Sequence, residues 1–97
     1  MESIMADILS QINERLEKKY PRIHVATGEK TFKNKYGAVF HIVHVPGLEL
    51  ICAEYCPKEE WADTYDYDPG ASFWDKDSVD TLVKQLEAEI DEIEPAV

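Results

Sequence analysis

The sequence predicts a small α+β domain, on three observations. Apolar residues recur at helical spacing near both ends of the chain. Between them lie short apolar or alternating runs punctuated by Gly, Pro and Asn. No repeat, linker or low-complexity tract breaks this order. The expected arrangement is α-β-β-β-α over residues 1–97 as a single domain. An antiparallel sheet of three or four strands should carry two helices on one face.

Ile4, Met5, Ile8, Leu9, Ile12 and Leu16 form a stripe about 100° wide, which predicts a first helix over residues 3–19. Ser3 suits its N-cap, and Tyr20-Pro21 ends it, because a residue before proline avoids helical angles. Arg22 to Thr27 reads as a first strand with Ile23 and Val25 on one face. Thr31 to Tyr36 extends or pairs with it, between turns at Gly28-Glu29-Lys30 and Asn34-Lys35-Tyr36-Gly37. "AVFHIVHV" and "LELICAEY" flank Pro46-Gly47 as a hairpin, with Val45 opposite Leu48. Val39, His41, Val43 and Val45 then share a face with Leu48, Leu50 and Cys52. Phe40, Ile42 and His44 share the other with Glu49, Ile51, Ala53 and Tyr55. Both faces are mainly apolar, whereas a sheet buried on one side alternates apolar with polar. Something must therefore cover the second face. The candidates are the segment "EEWADTYDYDPGASFWDKD", read as a loop, or a second copy of the chain. Trp74 and Phe73, nearest the second helix, are expected to close that face. Tyr65 and Tyr67 are expected at its edge. Val79, Leu82, Val83, Leu86, Ile90 and Ile93 mark the second helix, with Asp77 as N-cap and Pro95 past its end.

The chain carries a formal net charge of −10, and its distribution is lopsided. Residues 1–56 hold seven acids and seven bases, whereas residues 57–97 hold thirteen acids against Lys58, Lys76 and Lys84. Such a surface repels nucleic acid and anionic membrane, and attracts basic partners. Met-Glu-Ser-Ile-Met lacks the basic start of a signal peptide. No run approaches the ~18 apolar residues of a membrane span, so a soluble, cytoplasmic protein is expected. Cys52 and Cys56 are too few for a disulfide framework and should be free thiols.

The element order resembles that of double-stranded RNA-binding domains, in topology alone. Those domains carry lysines at the start of their second helix to grip phosphate. Here that start reads Asp75-Lys76-Asp77-Ser78-Val79-Asp80, whose carboxylates repel phosphate. No direct nucleic-acid contact is expected. The residue types of His41, His44, Cys52 and Cys56 suit zinc, but positions 41 and 44 point to opposite faces of a strand. Asp66 and Asp68 in "DYDPG" hint at calcium, yet the glycine falls one place early for an EF-hand loop and no spaced glutamate follows. Cys52 or Cys56 beside His41 imitates a thiol nucleophile with its base, but a thiol within an apolar strand is raised in pKa and inert. Neither catalysis nor a metal or other cofactor is expected.

Function then rests on charge and rings. The sequence predicts a non-enzymatic acidic protein that masks a basic, nucleic-acid-binding surface of a protein partner such as a nuclease. A phage or mobile-element inhibitor (an anti-CRISPR or anti-restriction protein) fits this description, as does an immunity protein or antitoxin. The expected contact residues are Trp61, Asp63, Tyr65, Asp66, Tyr67 and Asp68 in the loop, with Asp80, Glu87, Asp91 and Glu94 on the second helix. Acids in the last turns of a helix oppose its dipole by up to ~1 kcal/mol each, so stability alone does not explain them. The alternatives are a homodimeric housekeeping domain whose acidity serves solubility, and a small enzyme or metal protein.

Overall fold

The computed structural model describes residues 4–45 and 47–94, with side chains from Asp7 onward. The expected Ser3 cap, Pro46 and Pro95 lie outside the described residues, as do the side chains of Ile4 and Met5. The elements are α1 (Ile4–Glu17), β1 (Arg22–Ile23), β2 (Thr31–Lys33), β3 (Val39–Val45), β4 (Leu50–Cys56), β5 (Asp68–Trp74) and α2 (Val79–Ile90). The strands form one five-stranded antiparallel sheet in sequence order. The α+β class and the two helices are as expected; the strand count is higher.

The helix stripes explain the main core. Ile12 and Leu16 of α1 and Leu82, Val83, Leu86 and Ile90 of α2 are buried against Phe32, Phe40, Ile51, Ala53 and Tyr55. Phe40 meets Tyr20 edge to face at 5.3 Å and Phe32 at 5.5 Å. Burial of a large aromatic or aliphatic side chain contributes roughly 1.5–3 kcal/mol, so this layer dominates the stability of the domain. Ser78, not Asp77, caps α2: its hydroxyl accepts from the Thr81 N–H at 3.2 Å, and its own backbone is extended.

In the hairpin Val45 lies opposite Leu50, two residues from the expected register. Residues 47–49 lie in the turn, with Gly47 and Glu49 both at positive φ. A shift of two preserves side-chain parity, so the paired residues 39–45 and 50–55 lie on the faces expected of them, while Leu48 and Glu49 fall in the turn.

The larger correction is β5. Asp68–Trp74 is an edge strand, not a loop. Pro69 and Gly70 read as loop punctuation, but an edge strand tolerates proline on its open side. Gly70 and Ala71 together oppose Ala53 in a bulge, because Cys52 pairs with Ser72 and Glu54 with Pro69. A Cβ on Gly70 would lie 2.5 Å from the Tyr55 ring and 2.7 Å from the Ala53 carbonyl, so only glycine fits. The Ala71 N–H that the bulge frees donates to Glu89 of α2 at 3.0 Å.

The second face is only partly closed. Near Val39 and Cys56 it forms a smaller core with Ile23 and Val25, covered by Ala62, Tyr65 and Tyr67. At the other end Trp74 pairs with Leu50 and remains 51% exposed. Phe73, one residue earlier, faces the helices. The expected division of the rings is thus reversed: Tyr65 and Tyr67 form the lid, Trp74 lies outside it, and Phe73 belongs to the main core.

Candidate functional site

The loop between β4 and β5 enters through one turn of 3-10 helix, Glu59–Trp61, and continues as a turn to Thr64. Tyr65 and Tyr67 alternate with Asp66 and Asp68. The rings turn toward Val25, Val39 and Cys56, and the carboxylates turn out. Tyr67 is held by its hydroxyl, which donates to the Ala62 carbonyl at 3.0 Å. Its ring stacks on His41 at 4.5 Å, with planes 5° apart. Burial pushes its phenol up to about 12, so it stays neutral. Trp61 stacks on Tyr65 at 5.9 Å while Lys58 lies over the indole. Asp63 fixes the loop to the β1–β2 connection by accepting the Ala26 N–H at 2.7 Å.

Ala62, Asp63, Tyr65, Asp66 and Tyr67 form one wall of a cleft of about 260 Å³. The other wall comes from the β1–β2 connection and the sheet: Thr27, Glu29, Thr31, His41 and Glu54. The Nε2 of His41 lies 2.8 Å from Glu54, and its Nδ1 lies 3.3 Å from Glu29. A ring protonated on both nitrogens donates to both carboxylates. Sequence reasoning missed Glu29, His41 and Glu54 as neighbours of the loop. The signal available was parity: positions 39, 41, 54 and 56 share the face that the loop covers.

The ten expected contact residues fall into two groups. Asp63, Tyr65, Asp66 and Tyr67 line a cleft on the face opposite the helices, and Trp61 stacks on Tyr65 beside it. Asp68 accepts from the Tyr65 hydroxyl at 2.8 Å but pairs with Tyr55 and borders Glu89 and Glu94 on the helix side. Asp80, Glu87, Asp91 and Glu94 belong to α2 and the residues just after it. Three of these four acids are paired with Arg15 of α1 or with Lys19 and Tyr20 just after it. Asp80 meets Arg15 at 2.6 Å, and that guanidinium holds its carboxyl below the usual range. Asp91 accepts from the Tyr20 hydroxyl at 2.8 Å and meets Lys19 at 3.2 Å. Burial opposes ionisation of Asp91, but these bonds outweigh it and hold its carboxyl low. Glu87 lies 3.9 Å from Lys19. The loop differs: among the described residues no lysine or arginine lies within ion-pair distance of Glu60, Asp63, Asp66 or Asp68. Most bases of the first half are paired in turn: Arg22 and Lys30 with Glu17, and Lys33 with Glu59.

His41 lies on the cleft side of the sheet, while His44 faces the other way and bonds Asp75 at 3.1 Å. Among the described residues no three His, Cys, Asp or Glu side chains are placed to hold a metal ion. Burial pushes both thiols up, and Cys56 donates to the Lys58 carbonyl at 3.1 Å. No described helix is long and apolar enough to cross a membrane. No family model, curated protein or solved structure matches the chain.

Proposed function

We propose that the chain is a non-catalytic acidic binding protein that covers a basic, nucleic-acid-binding surface of a protein partner. The observation that carries this reading is the division of labour within residues 59–68. The rings pack the loop onto the sheet, and four carboxylates without cationic partners stay at the surface. Packing makes the loop a preorganised surface, which lowers the ordering cost of association. Uncompensated charge speeds encounter with a basic partner and disfavours acidic ones. The acids of α2 stand behind this surface as a general negative field, since Asp80 is paired with Arg15 of α1 and Asp91 with Lys19 just after that helix. Direct nucleic-acid binding has less support, because five of the seven bases of the first half (Arg15, Lys19, Arg22, Lys30 and Lys33) are in ion pairs. Inhibition of a nuclease by a phage or mobile-element protein, or immunity toward a toxin, is the setting such a surface suits.

The test is affinity capture at low and moderate salt, followed by charge reversal. Glu60→Lys with Asp66→Lys is expected to weaken binding of the captured partner by at least about tenfold, on the order of 1.4 kcal/mol. Thermal stability should stay unchanged, because both side chains are exposed. A folded double variant that binds as tightly as the parent would show that another surface does the work.

A second reading, a homodimer, is favoured by one feature. Trp74 and Leu48 are 51% and 61% exposed at the uncovered end of the second face, beside the edge strand β5. Exposed apolar side chains next to an unpaired strand edge favour association of copies. Sedimentation equilibrium decides it. The dimer reading expects a mass of two chains at micromolar concentration, reduced to one by Trp74→Lys. A monomer throughout ends that reading.

A further inference from the structure

We infer that the cleft between the β1–β2 connection and the β4–β5 loop receives one guanidinium group, the side chain of an arginine on the partner's basic surface. This inference rests on the binding reading above and names the contact at its centre.

Size comes first. At about 260 Å³ the cleft falls below the ~300–1,000 Å³ usual for small-molecule and cofactor sites. It suits a single side chain. Its aromatic wall comes next. Tyr67 is locked by packing, by its bond to Ala62 and by its stack on His41, so little side-chain entropy remains to lose when a ligand docks. A cation near a tyrosine ring is attracted by the ring's quadrupole, and a planar guanidinium also stacks.

The rim completes the match. Glu29, Glu54, Asp63 and Asp66 line the opening, and no lysine or arginine does. His41 and the Ala26 N–H each engage rim carboxylates without exhausting them, since every carboxylate has two oxygens. Glu54 and Glu29 sit at opposite nitrogens of His41 and Asp63 at the Ala26 N–H, so the acceptors are spread around the cleft. Dispersed acceptors around an aromatic wall reject a small hard cation. They fit an ion whose five N–H donors spread over a plane. A lysine ammonium, with three donors on one atom, satisfies fewer of them at once.

The probe is a capped Ala-Arg-Ala peptide, with citrulline and lysine versions as controls, titrated into the protein and followed by NMR. The arginine peptide is expected to shift the ring resonances of Tyr67 and His41 and the amides of residues 62–67, saturating with a Kd on the order of 1 mM. The lysine peptide should bind several-fold more weakly, and citrulline, equal in shape but neutral, should leave those signals in place. Asp66→Asn should weaken the arginine peptide several-fold, with the protein's amide dispersion preserved. Equal shifts from arginine and citrulline, shifts confined to another surface, or none at tens of millimolar would overturn the inference. The two readings fail separately. A captured partner whose binding the arginine peptide does not displace leaves the binding function standing and removes the cleft as its centre. Saturable arginine binding in the cleft, with no basic protein captured, keeps the pocket and removes the partner.

Discussion

Asn34→Ala is expected to cost about 3 kcal/mol, lowering Tm by roughly 12–24 °C for a domain of this size. Asn34 is 4% exposed. Its carbonyl oxygen accepts the N–H groups of Tyr36 and Ala38, each at 3.0 Å, which closes the β2–β3 turn. Its amide donates to the carbonyls of Ile90 and Ile93 at 2.9 and 2.8 Å, at and just past the end of α2, where helix carbonyls lack intrahelical partners. One side chain thus joins a hairpin turn to a helix terminus 56 residues away. Alanine leaves the Tyr36 and Ala38 N–H groups and the Ile93 carbonyl without the bonds Asn34 gave them, while the Ile90 carbonyl keeps the Ile93 N–H at 3.3 Å. Each buried orphan costs about 1–3 kcal/mol, reduced where water reaches it, as at the part-buried Ile93 and Tyr36 contacts. Asn34→Asp separates the two halves of the role. A carboxylate still accepts from Tyr36 and Ala38 but faces two carbonyls in place of donating to them. Burial and those carbonyls raise its pKa in the folded state. The folded protein then binds the extra proton, so this variant should gain stability as pH falls and lose it as pH rises. Urea titrations of both variants check the result. A loss under ~1 kcal/mol for Asn34→Ala would mean that water replaces all four bonds.

Asn34 also shows where sequence reading stops. Within "NKYG" it reads as a turn residue, and it is one, because its local bonds depend on neighbours two and four places on. Its bonds to α2 depend on how the helix lies over the sheet, which no local pattern encodes. The same boundary runs through the whole fold. The helices were legible because 3.6-residue periodicity is local, and the hairpin faces because parity survives a two-residue slip. β5 was not legible. Pro69 and Gly70 carry the chemistry of a loop, and only the approach of Tyr55 and the Ala53 carbonyl makes the glycine a strand residue. The candidate site divides likewise. Its rings and loop acids stood out by composition. Its far wall did not, because Glu29, His41 and Glu54 come from three separate segments that meet only in the sheet. The partners of the α2 acids were hidden for the same reason: Arg15 and Lys19, distant in sequence, lie beside Asp80 and Asp91.

The reversal of the rings makes the sharpest test of the loop. Tyr67→Ala is expected to cost about 2–3 kcal/mol, somewhat below the ~3–5 typical of a fully buried aromatic, because the ring is only partly enclosed. It removes the stack on His41, the contacts with Val25, Val39 and Cys56, and the bond that ties the loop to Ala62. Trp74→Ala should cost less than ~1 kcal/mol despite its larger side chain, because half of that side chain already lies in water. Binding should follow the same division. Without Tyr67 the cleft loses an aromatic wall, so the partner and the arginine peptide should both bind at least about tenfold more weakly. Trp74→Ala lies outside the cleft and should leave both affinities unchanged. Tyr67→Phe separates packing from the tether: it keeps the ring, gives up one hydrogen bond of about 1 kcal/mol, and should bind nearly as well as the parent. Urea titrations, with binding measured at a temperature where every variant is folded, decide the matter. If Trp74→Ala proves as costly as Tyr67→Ala and the Tyr67 variant binds undiminished, the loop is neither the lid of the second face nor the floor of the binding surface.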